Sequence, residues 1–284
     1  SVERQTVGDA SSNWTMQNNS SRFGLRGSED LGGGLRAGFG LEAGFNPANG
    51  GATTPFWGRQ SEVNLSGGFG TVRLGNFLSE AYFATADYVS LHNHDTGRSS
   101  DALYAYIGRN TGKVAWRSPS FGGSTIEAAV TEGGSANRTM ELAWNYSAGP
   151  LQLGAGYEDN SPTNQRAKQF AVRGLYELGA LTFGGYVQRD TDGYGVGLGN
   201  RTTLRLAGMY AMGPGEFHLN VGRAGKYSNG VNGGNGDSAT QYTLGYNYKL
   251  SKRTKVYGFV TKVADSGSSY GDFRSFALGL RHNF

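Results

Sequence analysis

The sequence predicts an all-β chain, a transmembrane up-and-down antiparallel β-barrel, on three observations. Apolar and polar residues alternate strictly over segments of about ten residues. Short glycine turns between the segments alternate with longer polar connections, and no window approaches the ~18 consecutive apolar residues that a transmembrane helix needs. Composition agrees with this reading. The 284 residues include 48 glycines, 16 tyrosines and 15 phenylalanines but only 6 prolines, and the glycines follow no fixed triplet, which excludes collagen. A mean hydropathy of −0.46 is low for a soluble core of this size, whereas 12% aromatics is too many for a disordered chain. Something other than an internal core must bury the aromatics.

The first hairpin shows the pattern most clearly, in "SSRFGLRGSEDLGGGLRAGFGLEAGF", residues 20 to 45. Phe23, Leu25 and Gly27 share one parity, and Arg22, Gly24, Arg26 and Ser28 the other; a strand sends the two sets to opposite faces. After the turn in "DLGGG", Leu35, Ala37, Phe39, Leu41, Ala43 and Phe45 oppose Arg36, Gly38, Gly40, Glu42 and Gly44. The same grammar continues through "VNLSGGFGTVRLG", "KVAWRSPSFGGSTIEAAV", "MELAWNYSAGPLQLGAGY", "FAVRGLYELGALTFGGYV", "LRLAGMYAMGPGEFHLNVG" and "YTLGYNYKLSKRTKVYGFV" to "FRSFALGLRHNF". Tight turns at Gly67-Gly68, Gly122-Gly123, Gly179-Ala180 and Ser251-Lys252-Arg253 alternate with longer connections at 46 to 56, 159 to 165, 225 to 238 and 265 to 271. About 15 strands are counted from residue 20 onward.

An open sheet that wide would expose edges, so it is expected to close. A soluble barrel of this width would fill its lumen with apolar residues, but the second set here is Arg, Glu, Gln, Asn, Thr and Gly. The polar face is therefore expected inside and wet, with lipid around the apolar face, in a bacterial outer membrane. The competing reading is a large soluble β-sandwich, which seldom keeps so regular a rhythm of short turns and long loops.

The N-terminal "SVERQTVGD" lacks the apolar stretch of a signal peptide, so the chain is expected to be mature or truncated. With no cysteine there is no disulfide framework, thiolate chemistry or Cys-zinc site. A net charge of +4 permits an anionic partner without requiring one.

The segments "SRFGLRGSEDLGGGLRAGFGLEAGF", "SGGFGTVRLGNF", "SPSFGG", "YNYKLSKRTKVYGFV" and "FALGLRHNF" resemble the trimeric general diffusion porins of Gram-negative outer membranes, in the beta-proteobacterial branch whose members end "GLRHxF". The resemblance covers both ends and the middle of the chain. It implies 16 strands, a homotrimer, and an external loop folded into the lumen as a constriction. Members of the family begin with a further strand of the type "SVTLYGxxDAGV"; here that first strand is missing or truncated, with residues 1 to 8 its candidate tail. Residues 1–284 are read as a single outer-membrane barrel domain.

Residues 76 to 112 break the alternation, and a loop so long is usually functional. Its place after the fifth strand matches the family's constriction loop, and "SEAYFATADYVSL" suits a helical turn or two. Its acids are Glu80, Asp87, Asp95 and Asp101, expected to face a basic wall across the opening, with about half of them capping turns instead. By parity the pore-lining residues are Arg22, Arg26, Arg36, Glu42, Glu62, Arg73, Arg109, Lys113, Arg117 and Arg281. Arg22 and Arg109 match constriction arginines by resemblance; at a third such position stands Gln60, beside an Arg59 whose parity points outward to the rim or trimer contact.

Other chemistries are weakly signalled. His92 and His94 in "HNH" lack a third metal ligand, and His218 beside Glu216 has no activated serine, so neither a metal nor a catalytic site is expected and no cofactor is implied. No phosphate-binding or nucleic-acid motif is present. Tyr246, Tyr248, Tyr257, Phe259, Trp116 and Trp144 are expected as lipid-facing or interfacial aromatics, and the terminal Phe284 resembles the assembly signal of outer-membrane barrels. The expected activity is passive diffusion of small hydrophilic solutes and ions, anion-selective, with outer-membrane lipid and lipopolysaccharide as surroundings. The alternatives are a substrate-specific channel with a defined binding site, or a surface adhesin, for which the short external loops offer little surface.

Overall fold

A computed structural model describes residues 1–87, 89–92, 101–132, 138–160, 167–231, 237–265 and 271–284. Among them, 18 strands form one antiparallel sheet. The first seven are β1 (Val2–Val7), β2 (Asn13–Met16), β3 (Arg22–Gly32), β4 (Leu35–Asn46), β5 (Gly51–Ala52), β6 (Gln60–Gly67) and β7 (Gly70–Asn76). After the long insert come β8 (Lys113–Arg117), β9 (Ser124–Thr131), β10 (Met140–Ala148), β11 (Leu151–Asp159), β12 (Lys168–Leu178) and β13 (Leu181–Thr191). The series ends with β14 (Asn200–Met212), β15 (Gly215–Ala224), β16 (Ala239–Lys249), β17 (Thr254–Asp265) and β18 (Phe273–His282).

The ladder passes from β3 to β4, across to β6, and then neighbour by neighbour to β18. From β18 it continues to β1 and β2, so the sheet curls back to the point where β2 hands over to β3. β5 is a two-residue pairing against Phe45 and Asn46 in an outer connection, and β2 runs through residues 17–21 into β3 as one descending stave. The 18 strands therefore make the 16 staves of the barrel. Residues 1 to 8, the candidate tail of the expected first strand, contain β1. β1 pairs with β18 over Phe273 to Leu278, and residues of β3, β4 and β6 together with His282, Asn283 and Phe284 border a cavity of ≈ 1120 Å³.

The alternation read from the sequence places the side chains. In the first hairpin Phe23 opposes Ala43 and Leu25 opposes Leu41 on the outer face, while Arg22 lies across from Gly44 and Arg26 from Gly40 on the inner one. Gly33 and Gly34 turn the chain with φ of 61° and 82°, a left-handed conformation open to glycine without penalty. The outer belt of large apolar side chains, among them Phe170, Val187, Leu204, Leu219, Leu244 and Phe276, is left bare by the protein itself. Covering it would be worth about 1.5–3 kcal/mol for each side chain fully buried.

Tyr257 and Phe259 depart from the expected lipid-facing set. On β17 the outward positions are Val256 and Val260, so the two aromatics share the inner parity; both are buried, at 4% and 3% exposure, Tyr257 beside Asn19 and Gly279 and Phe259 against the lumen contents. Those contents are the insert between β7 and β8. It opens with a short helix α1 (Glu80–Tyr82), capped by the Ser79 side chain accepting from the Tyr82 amide, and continues into a π-helical turn over Phe83–Asp87. Rather than projecting outward, the insert packs along the inner wall: Ala86, Val89 and Tyr104 meet Ala171, Tyr186 and Ala207, and Leu103 meets Ala224, Ala239, Val263 and Phe273.

Candidate functional site: the constriction

Attachments along its length hold the insert inside the barrel. At its start, Glu80 takes ion pairs from Arg73 and Arg117, each at 2.6 Å. In its middle, Arg173 on β12 donates from Nε to the Ala84 carbonyl at 2.6 Å. On its return limb, the Gln188 amide of β13 clasps Ala105, accepting from its N–H and donating to its carbonyl, both at 2.8 Å. Glycines in the wall make this closeness possible. A side chain at Gly154 would collide with the Ala84 carbonyl, and one at Gly156 with Ala81. Tyr104 completes the anchorage, exchanging a hydrogen bond with Thr85 at 3.0 Å and accepting one from Gln169 at 2.9 Å. Burial, with the Glu158 carboxylate nearby, pushes its hydroxyl well above the usual tyrosine range, so it stays protonated.

Because the insert lies against β10 to β18, the passage left beside it runs along β3, β4, β6 and β7. There a cavity of ≈ 460 Å³ is lined on the wall side by Arg22, Glu42, Arg59, Gln60 and Arg73, and on the insert side by Tyr82, Phe83, Asp87 and Asp101. Glu42 sits between two arginines: Arg59 Nε donates to Oε1 at 2.7 Å, and Arg22 Nε lies 3.5 Å from Oε2. Two guanidiniums against one carboxylate leave an excess of one positive charge on this wall. Across from it, Asp101 accepts from the Tyr82 hydroxyl at 2.7 Å. A wet slot with cationic and anionic sides carries a transverse field.

The sequence-predicted residues divide into groups. Arg22, Glu42, Gln60, Asp87 and Asp101 come together at this slot. Arg59 joins them although strand parity points it outward; β6 begins only at Gln60, so Arg59 precedes the strand and its side chain turns inward to Glu42. Arg73 borders the slot, but its charge is absorbed: it meets Glu62 at 2.7 Å, Glu80 at 2.6 Å and Glu127 at 3.5 Å, and stacks 4.0 Å from the Phe77 ring. Arg117 shares Glu80 and Glu127, so these three carboxylates outnumber the two arginines. Glu80, expected across the opening from the basic wall, is thus a staple to the near wall.

Lys113 is also removed from the passage. Its ammonium is wholly buried and pairs with Glu141 at 2.9 Å. Arg109 does not line the slot; its Nε donates to Thr111 at 3.1 Å. Arg26 borders the larger cavity beside β18, Arg281 lies beside Arg22 and Tyr257 in another, and Arg36 pairs in register with Asp30 and Ser66. Asp95 and His94 lie outside the described residues. No group of three potential metal ligands occurs among the described residues. The anchoring residues Arg173, Gln188 and Gln169 carried no signal beyond inward parity, since their partners are backbone and side-chain groups of an insert distant in sequence.

Comparison with known proteins agrees with the geometry. The family model described as Gram-negative porin matches residues 1–268. An outer membrane porin protein of Bordetella pertussis is 26% identical over 323 residues, covering 94% of this chain and 83% of that protein. Among solved structures, the anion-selective porin from Comamonas acidovorans matches with a TM-score of 0.78 at 23% identity, over 100% of this chain and 96% of that one. The trimer form of OmpT from Vibrio cholerae matches with a TM-score of 0.71 at 15% identity, over 99% and 96%. A 16-stave barrel with polar residues inside, an apolar belt outside and an insert narrowing its lumen has the architecture of a passive outer-membrane diffusion channel, and the chain belongs to the Gram-negative porin family.

Proposed function

We propose that the channel, residues 1–284 acting as one barrel unit, prefers small anions and works as a homotrimer. The observation that carries the selectivity is the Arg22–Glu42–Arg59 group on the wall of the slot, with one positive charge in excess, facing Asp87 and Asp101 of the insert. An anion moving along the cationic side is attracted at every ionic strength low enough to leave the charges unscreened, while the insert carboxylates keep it to that side. No enclosed pocket of matched polar groups is needed, so small hydrophilic solutes pass without a tight binding step. Arg73, Lys113 and Arg117, each ion-paired to carboxylates, contribute structure rather than field. The trimer reading is supported by the trimeric relative and by an outward aromatic cluster, Phe23 with Phe56 and Trp57 at ring separations of 6.0 and 6.1 Å, on the first staves. Outer-membrane lipid and lipopolysaccharide are its surroundings on the remaining circumference.

The test of selectivity is the zero-current potential of the purified protein in a planar bilayer under a salt gradient. An anion-signed potential that shrinks as total salt rises supports the proposal. A cation-signed potential would mean that the insert acids and Glu62 dominate the passage, and the selectivity assignment would be withdrawn.

A further inference from the structure

Beside the slot the lumen holds an alcove of ≈ 400 Å³, between the first limb of the insert and the wall of β8, β9, β10 and β12. Glu80 and Phe83 border it from the insert, and Arg117, Glu127, Asn145 and Arg173 from the wall. Among the described residues, Phe83 is the one that borders both this alcove and the ≈ 460 Å³ slot. An ion-pair bridge continues the divide: Arg73 borders the slot, Arg117 borders the alcove, and Glu80 holds each of them at 2.6 Å.

Phe83 is held from both directions along the chain. Before it, Ser79 caps α1 and Glu80 is ion-paired; directly after it, the Ala84 carbonyl accepts from Arg173 Nε at 2.6 Å. The chain widens at this point into the π-helical turn of Phe83–Asp87, an irregularity frequent at functional sites. The neighbouring ring, Tyr82, is committed to the insert: it packs edge-on against Tyr104 and Tyr106 at 5.6 and 5.2 Å, and its hydroxyl donates to Asp101. Phe83 lies 6.0 Å from Tyr82 and is only half-buried. A half-exposed apolar ring between two cavities with charged linings gains little from burial. What it does there is occupy space.

We propose that Phe83 is the residue that sets the size limit of the passage: its ring, with the Arg73–Glu80–Arg117 bridge, closes the alcove off from the slot and confines solutes to the slot. Removing the ring joins the two spaces, and because their volumes are nearly equal the open cross-section at this height roughly doubles. The joined path also leads past Glu80, Glu127, Arg117 and Arg173, whose charges cancel, so the Arg22–Glu42–Arg59 wall loses part of its hold on the ions in transit. The inference rests on the diffusion-channel function and is independent of the sign of selectivity.

Phe83→Ala and Phe83→Leu test it in the full chain. Two quantities are read: single-channel conductance in planar bilayers, and the rate at which liposomes carrying the channel swell in neutral mono-, di- and trisaccharides. Phe83→Ala is expected to raise conductance up to about twofold, the limit set by two nearly equal cross-sections side by side, with Phe83→Leu between it and the parent. The ratio of trisaccharide to monosaccharide swelling rates is expected to rise in the same order. Parent conductance reports on the channel itself and the variant-to-parent ratio on the inference, so the two fail separately. A Phe83→Ala channel with the parent's conductance and size limit overturns the proposal. So does a noisier current at an unchanged size limit, which would make the ring a packing residue of the insert. Should Phe83→Ala fail to assemble, judged by the mobility of unheated protein on a detergent gel, Phe83→Leu carries the same expectation and the same refutation.

Discussion

The sharpest prediction concerns the Arg22–Glu42–Arg59 group, because two single substitutions should move one observable in opposite directions. Arg59→Gln lowers the net charge of the group by one; Glu42→Gln raises it by one, since it removes the carboxylate shared by the two guanidiniums. Side-chain exposures of 24–35% keep these pairs wet, so neither change is expected to cost the barrel more than about 1 kcal/mol. An ion passing roughly 6 Å from a unit charge at the dielectric constant of water feels about 0.7 kcal/mol, reduced by screening to about 0.4 kcal/mol near 0.1 M salt. That doubles the local population of one ion sign and halves the other, so the anion-to-cation permeability ratio should change about fourfold per unit charge. Arg59→Gln should lower the ratio by that factor and Glu42→Gln should raise it, as read from zero-current potentials in planar bilayers. Both shifts should fade as the salt concentration is raised. Variants that move the ratio in the same direction, or leave it unchanged at low salt, would refute the claim that this group sets the field.

Three further predictions follow from the anchorage of the insert and its surroundings. Gly154→Ala sets a side chain against the Ala84 carbonyl and should displace the insert from the wall, lowering single-channel conductance while the barrel still assembles. Glu141→Leu leaves the Lys113 ammonium buried without its partner and should cost about 3–5 kcal/mol in thermal or denaturant unfolding, whereas adding Lys113→Met should recover most of the loss. Tyr104 binds its proton more tightly in the folded chain than its ordinary value of 10.0, so its contribution is complete below that pH and is lost as pH rises beyond it. Tyr104→Phe should remove this alkaline sensitivity, measured as unfolding stability against pH, at the cost of the hydrogen bonds to Thr85 and Gln169.

The barrel was legible in the sequence because its physics is local. A strand alternates its faces every residue whatever lies around it, so Phe23 and Leu25 against Arg22 and Arg26 already separate lipid from water, and Gly33 and Gly34 already demand a turn. The insert was legible too, as the stretch where alternation stops. Parity tells which face a side chain takes, but not what fills the space it faces. That depends on where residues 77–92 and 101–112 lie once the ring of staves surrounds them. Phe259 has inner parity, and the insert pressed against β15 to β17 makes that a place to bury an aromatic ring. Arg73, Lys113 and Arg117 share a face with Arg22, yet their charges are spent on Glu62, Glu80, Glu127 and Glu141, acids drawn from other staves and from the insert. Arg59 escapes parity because it stands one residue before its strand. Which cations remain to act on a passing ion is decided by pairing between nearby strands and the insert, an interaction between residues up to 54 positions apart in the chain that no local pattern records.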